Sequence, residues 1–392
     1  MTGSADRAID KRNRLVWVVA IFLFVVGDGL TLQTRGPLLR TFEADFGVSE
    51  ALLGLISPAG TLGFIVAVLV VGMVAGRIDV KRWMIVGIGL TAVSLLLMSG
   101  APVYWLFLLF LVGQGTATGV VRGVDRMILS HLFPNHRGRV FTLYSLAWSI
   151  GAVMGPVFIN TVLEAGNWRV AYVILGLFFL PLAGLVWQSD LPGTVAAERS
   201  LSLSGLRALL GRPIILGMMG AIALVGAAEG VIFTWLPFFA SEFMPEAQAN
   251  VLLTVFLIAY LPSRLLYSWL VDRTGSLPLA FGLSVCFVPA IWVALSGIDG
   301  LELFVAVFLA GFFTAGLFPL ISAFGVDAAP SYSGPVSALS TGATYVGVAG
   351  GPLMVGLVAE RIGILSAMLL TVFFAVGIAF ILAVTWIVTY RA

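Results

Sequence analysis

Six ionisable residues lie inside stretches otherwise built of apolar side chains: Asp28, Arg122, Asp125, Arg126, Glu229 and Arg264. A charge held away from water is costly, so each is expected to face a partner, a cavity or a path for ions rather than hydrocarbon. Asp28 and Glu229 are acids that can trade their charge for a proton, which is the chemistry of ion coupling. The competing use is a permanently paired structural carboxylate. Arg122 and Arg126 stand one helical turn apart with Asp125 close to the same face, and two stacked guanidinium groups can grip a carboxylate or a phosphate. Arg126 precedes Pro134 by eight residues, about 12 Å at a rise of ~1.5 Å per residue. Arg264 precedes Asp272 by the same number, so both arginines have a second possible use, reaching the membrane surface or pairing in a gate. Three acids and three arginines balance, and pairing among them can also cancel any pull on an anion.

Gln33, Trp148 and Trp235 are further candidates for touching a solute, together with Tyr144, Asn160, Tyr260 and Tyr345. Aromatic residues at helical spacing more often serve packing. His131 and His136 have no clustered companions, so no metal site is expected. Cys286 is the single cysteine; it cannot form an internal disulfide, and its apolar surroundings suggest a buried thiol. No P-loop lysine and no nucleophile elbow occurs. Catalytic residues, cofactors and an enzyme activity are therefore not expected, and any work is expected to draw on an ion gradient.

The elements that must position these residues follow from composition. Of 392 residues, 60% are hydrophobic and only 10% are charged, and the mean hydropathy is +1.08. Most of the chain must face lipid. A net charge of +2 with its Lys and Arg scattered over short loops gives no basic patch and no nucleic-acid partner. Crossing ~30 Å of hydrocarbon takes roughly 20 apolar residues per helix. Twelve such runs are present, at 15–37, 50–75, 82–100, 103–132, 138–163, 169–188, 212–239, 247–270, 277–297, 300–325, 334–360 and 363–388. Backbone groups in lipid must be satisfied internally, so these runs are expected to be helices; they are too long for barrel strands. The fold class is an all-α membrane protein.

The chain is also duplicated. Pro134, Gly138, Gly151, Gly155 and Pro156 recur as Pro330, Gly334, Gly347, Gly351 and Pro352, each displaced by 196 positions, half of 392. Tandem halves in an apolar chain are a transporter plan. The expected organisation is a six-helix bundle over 1–188, a polar cytoplasmic linker over 189–211 and a second six-helix bundle over 212–392. Arg7, Lys11, Arg12 and Arg14 precede a long first span with no cleavage pattern, which places the N-terminus inside. Arg77, Lys81, Arg82, Arg137, Arg139, Arg199, Arg207, Arg212, Arg273 and Arg391 then share the cytoplasmic side against Arg35, Arg40, Arg169 and Arg361 outside. That asymmetry follows the positive-inside rule for a multi-pass protein of the cytoplasmic membrane with both termini cytoplasmic. Trp17, Trp105, Trp168, Trp187 and Trp386 sit near span ends and read as interfacial anchors.

Between spans eight and nine, Ser268-Trp-Leu-Val-Asp272-Arg273-Thr-Gly275 resembles the Gly-x-x-x-Asp-Arg-x-Gly cytoplasmic loop of the major facilitator superfamily, with Ser for the first Gly. The N-half copy, Gly72-Met-Val-Ala-Gly76-Arg77-Ile-Asp79-Val-Lys81-Arg82, keeps the Gly, the Arg and the basic run but has Gly76 in place of the family's Asp and Asp79 in place of its Gly. The resemblance spans the whole chain. It implies two six-helix bundles, and a cytoplasmic gate at Gly72, Arg77, Asp79, Asp272, Arg273 and Gly275, where acid and arginine at helix ends latch one conformation. For Lys81 and Arg82, retention of basic loops inside is the simpler use.

Gly151-Ala-Val-Met-Gly155-Pro156 looks like part of an antiporter motif, but its repeat at Gly347 and Pro352 is explained by close helix packing and a proline bend. Leu111 stands where the antiporters' arginine would be. Asp28 nine residues before Pro37, and Thr234-Trp235-Leu236-Pro237 after Glu229, are similar to the anion-cation symporter branch. That likeness implies proton-coupled uptake of an organic anion by alternating access, with Asp28 and Glu229 as proton sites. Its partners are a small-molecule substrate, protons and membrane lipid, and a monomer of this size can work alone. Two rivals stay open: proton-driven export of hydrophobic or cationic compounds, and a non-transporting receptor that kept the fold.

Overall fold

The computed structural model describes residues 2–74, 79–134, 136–191, 209–329 and 332–391. Among these residues the regular structure is helical throughout. Twelve spans are long and apolar enough to cross a membrane. In chain order they are α1 (Arg12–Phe46), α2 (Glu50–Val71), α3 (Val80–Ser99), α4 (Tyr104–Leu132), α5 (Arg139–Glu164) and α6 (Arg169–Trp187). The second set is α7 (Pro213–Ala240), α8 (Glu246–Thr274), α9 (Ser276–Ala294), α10 (Gly300–Ala328), α11 (Val336–Ile362) and α12 (Ile364–Thr389). Large apolar side chains such as Leu265, Leu301, Phe373 and Phe380 are exposed, as expected of surfaces that meet lipid rather than water.

Several expected runs are broken rather than continuous. Within α1 the helix ends at Leu32, a 3-10 turn occupies Gly36–Leu38, and a short helix resumes at Leu39. Pro37 follows the first residue of that turn, where its missing N–H costs nothing. Spans α2, α8 and α10 restart at Ile56, Tyr260 and Leu317, in each case two residues before a proline: Pro58, Pro262 or Pro319. Such a proline withdraws one donor and its ring crowds the carbonyl four residues back, so the preceding turn opens.

Contacts divide the chain into two compact units. The first comprises residues 1–34 and 59–200, the second 35–58 and 201–392. In the first unit α1 packs on α5 and α6, and α3 packs on α4 and α6; in the second α7 packs on α11 and α12, and α9 on α10 and α12. Each pairing recurs six spans later, so the duplication seen in sequence is a duplication of contacts. Glycine makes the crossings possible. A Cβ on Gly151 would strike Val26 O of α1, and one on Gly347 would strike Ala223 O of α7. Likewise Gly115 meets Gly60, and Gly311 meets Phe256, 196 positions on in both helices. Without Cβ atoms the backbones come close enough for dispersion to hold them where lipid supplies no hydrophobic drive.

The second unit includes a segment encoded before residue 59. There Gly36 lies on Phe233 and Thr234, Gly54 on Pro352, and Ser57 Oγ donates to Val348 O at 2.6 Å. Arg40 fastens the same segment. Its Nε donates to Ser241 Oγ at 2.7 Å and its Nη1 to Glu43 Oε2 at 3.0 Å, while Nη2 pairs with Glu242. The guanidinium also lies 3.7 Å from the centre of the Phe238 ring.

Three expectations are corrected. Trp17 is not an interfacial anchor: it is fully buried, and its indole N–H donates to Asp190 O at 3.1 Å. Trp168 is likewise buried, edge-on to Phe107 and Tyr172. A bulky aromatic near a span end can serve helix packing as readily as the interface, and the linear sequence does not separate the two. Cys286 is exposed, not buried, on a span whose outer face is apolar. An apolar neighbourhood in a lipid-facing helix means exposure to lipid, the reverse of its meaning in water.

Candidate functional site

In the first unit the charged residues of α1 and α4 converge. Arg122 Nη1 lies 3.8 Å from Asp28 Oδ2, with side chains 13% and 15% exposed. One helical turn along α4, Asp125 is wholly buried. It accepts a hydrogen bond from Tyr144 OH of α5 and another from the backbone N–H of Arg126. The guanidinium carbons of Arg122 and Arg126 lie 4.9 and 5.4 Å from the Tyr144 ring centre. The spacing of 122, 125 and 126 puts these groups on adjoining positions of one helix, so the arginines flank the acid. Arg122 is thus set between a wholly buried carboxylate on its own helix and a partly accessible one on α1. Arg126 is the outer member and is exposed.

Gln33, five residues beyond Asp28, is fully buried against Gly155 of α5. Both polar atoms of its amide lack a hydrogen-bond partner among the described residues. An amide in that condition forfeits about 1–3 kcal/mol per unsatisfied group. Trp148 is half-buried on α5, where its carbonyl meets Gly29 of α1.

The second unit repeats the theme with other helices. Tyr260 OH of α8 donates to Glu229 Oε1 of α7 at 2.5 Å. One turn further along α8, the Arg264 guanidinium carbon lies 5.3 Å from the Tyr260 ring centre. Trp235 stands outside this cluster: it is buried, donates its indole N–H to Pro352 O at 2.9 Å and sits edge-on to Phe238. The structure gives it the work of tying α7 to α11.

At the loops, Gly72 falls within the helix Ile56–Val74, and Arg77 and Gly76 lie outside the described residues. Asp79 caps the helix of α3: its carboxylate accepts from Arg82 N–H at 3.2 Å and pairs with Arg82 Nε at 3.1 Å. Lys81 Nζ lies 3.3 Å from Asp190 Oδ1. After α8, Gly275 has φ +82, a left-handed conformation that explains glycine there. Asp272 and Arg273 are exposed, and the Arg273 guanidinium stacks on Trp269 at 3.8 Å.

The sequence reading missed the central part of two tyrosines. Tyr144 and Tyr260 were expected as cavity-lining or packing residues, yet each is the hydrogen-bond donor to an acid in the interior. For Tyr260 a local signal existed, since it stands four residues before Arg264. Tyr144 and Asp125 are 19 residues apart on different helices, and no short-range pattern joins them. No group of three or more metal-ligating side chains occurs among the described residues.

Comparison with known proteins adds the family. The sequence matches the Major Facilitator Superfamily over residues 17–244 and again over 220–392. A multidrug resistance protein B homolog of Mycobacterium tuberculosis is 29% identical over 171 residues, covering 43% of this chain. This chain covers only 31% of that protein's length. A probable sugar efflux transporter of Helicobacter acinonychis is 22% identical over 373 residues, 93% of this chain and 92% of the relative. A gallate transporter of Pseudomonas putida is 25% identical over 175 residues, 44% of this chain and 39% of the relative. Among solved structures, a bacterial homolog of the human lysosomal transporter Spinster superposes with a TM-score of 0.81 at 14% identity, over 95% of this chain and 97% of that one. With twelve apolar helices, duplicated bundles and both halves matched, the chain belongs to the major facilitator superfamily and is a multi-pass membrane transporter, not an enzyme.

Proposed function

We propose that this transporter moves a small organic anion across the cytoplasmic membrane by alternating access, in symport with protons and with both termini cytoplasmic. The observation that supports this most is the Asp28–Arg122 pair, held at 3.8 Å in the interior of a bundle. A carboxylate this close to the guanidinium competes with any anionic solute for it. When Asp28 takes a proton its charge disappears, and the guanidinium is left to attract the solute's carboxylate instead. Proton and anion then favour each other thermodynamically, which is the requirement for coupled movement. Asp125 and Tyr144 hold Arg122 from the other side, and Glu229 is the corresponding proton-carrying acid of the second unit. Gln33 offers a further hydrogen bond to the solute. Kinship with a protein named as a gallate transporter is in keeping with a carboxylate solute. The residues at the loop after α8, and Asp79 after α2, would serve the cytoplasmic gate.

A second reading is export, favoured by the relatives named for sugar efflux and multidrug resistance. Thermal unfolding of the purified chain with gallate, a neutral hexose, a nucleoside and tetraphenylphosphonium separates the solute classes. The anion reading expects stabilisation by gallate that is lost in Arg122→Gln. Stabilisation by the lipophilic cation alone would overturn it.

A further inference from the structure

In each unit a tyrosine stands between an acid and an arginine: its hydroxyl bonds the carboxylate and its ring lies against the guanidinium. Tyr144 does this for Asp125 with Arg122 and Arg126, and Tyr260 does it for Glu229 with Arg264. The two sets come from different helix pairs, α4 and α5 in one and α7 and α8 in the other, so the gene duplication did not copy them.

We propose that Tyr260 is the positioning residue of Glu229, fixing one carboxyl oxygen through its hydroxyl and linking the acid to Arg264 through a neutral ring. This rests on the reading of Glu229 as a proton-carrying acid. A phenol suits such a post because it both donates and accepts. It donates to Glu229 while the carboxylate is charged, and when a proton arrives it can accept the bond from the carboxylic acid. One hydrogen bond thus survives both charge states, and the carboxyl group need not swing as it loads and unloads. A lysine or arginine in the same position would instead fix the charged form. Tyr260 is itself held: it is 3% exposed, and its ring lies 5.7 Å from that of Phe256.

The neighbourhood of Glu229 is simple enough to test. On α8, the helix that follows α7, Tyr260 bonds Glu229 and the Arg264 guanidinium lies against the Tyr260 ring. On α11, Tyr345 falls between Thr344, which meets Gly226, and Val348, which meets Gly230. Arg40, which bonds Ser241 three turns further along, is paired with Glu43 and Glu242.

The test is infrared spectroscopy of the purified full-length chain in detergent, following the carboxyl stretching bands through a pH titration. Glu229→Gln should delete one titrating band. Tyr260→Phe keeps the ring but should displace that band and move its midpoint by about one pH unit, the effect of a charge-assisted hydrogen bond. Glu229→Asp, which draws the carboxyl back from the hydroxyl, should displace the band too. Tyr267→Phe is the control: Tyr267 is on the same span, but its hydroxyl donates to Phe312 O at 2.8 Å, and its loss should leave the band in place. A Glu229 band that Tyr260→Phe does not move overturns the positioning role and leaves the proton-carrying reading standing. Absence of any titrating band sensitive to Glu229→Gln overturns that reading and this proposal with it.

Discussion

Replacing Arg122 with Gln while Asp28 remains should cost far more than replacing both. At 3.8 Å and an effective dielectric constant of ~20, two unit charges attract by about 4 kcal/mol. The side chains are 13% and 15% exposed, so solvent screens the pair only partly. Removing one member of such a pair strands the other charge, at about 3–5 kcal/mol. The two single substitutions are not equivalent. Asp28→Asn leaves Arg122 beside Asp125 and the Tyr144 ring, whereas Arg122→Gln takes the guanidinium away from both Asp28 and Asp125. Arg122→Gln is therefore the more damaging, and Asp28→Asn in the same chain restores about 2 kcal/mol or more. Equilibrium unfolding in mixed micelles of the wild type, both singles and the double gives the coupling directly. Single effects that add to within about 0.5 kcal/mol would mean that the two side chains do not sense each other, and the account of their competition for an anion would fail.

Gly347→Val drives a side chain into the Ala223 carbonyl of α7 and should cost at least ~1–3 kcal/mol, while Gly350→Ala, with open space around it, should be neutral in the same unfolding assay. Gln33→Met removes a buried amide whose polar atoms have no partner among the described residues; it should raise stability by about 1–3 kcal/mol and weaken solute-induced thermal stabilisation. Arg40→Gln should lower stability by about 1–2 kcal/mol, and adding Glu242→Gln should cost little more, because the two share one network; full additivity in unfolding would dissolve that network.

Much of the architecture was legible because lipid simplifies the problem. Span length, the 196-residue offset and the glycine–proline pattern are linear features, and the glycines do sit where helices cross. The charges inside apolar runs were equally visible, since few sequences place Asp28 or Glu229 there without cause. What escaped was pairing across helices. The Tyr144 bond to Asp125 and the Trp235 bond to Pro352 O join residues 19 and 117 positions apart, and nothing local announces either. The broken spans escaped for a different reason. A proline in an apolar run leaves the helix unbroken at Gly155-Pro156, yet the turn ahead of Pro262 is open; the outcome depends on neighbours that can re-satisfy the freed carbonyl. Asp79 shows how a sequence departure can hide a local use: it stands where the family places glycine, and its carboxylate caps a helix.

The central claim is that protonation of Asp28 and binding of an anion are coupled through Arg122. Proteoliposomes loaded with unlabelled gallate and given labelled gallate outside measure counterflow, and an imposed pH gradient across the same vesicles measures driven accumulation. The account predicts that Asp28→Asn retains counterflow but no longer accumulates label against the gradient. Gradient-driven accumulation by Asp28→Asn equal to that of the wild type would contradict it.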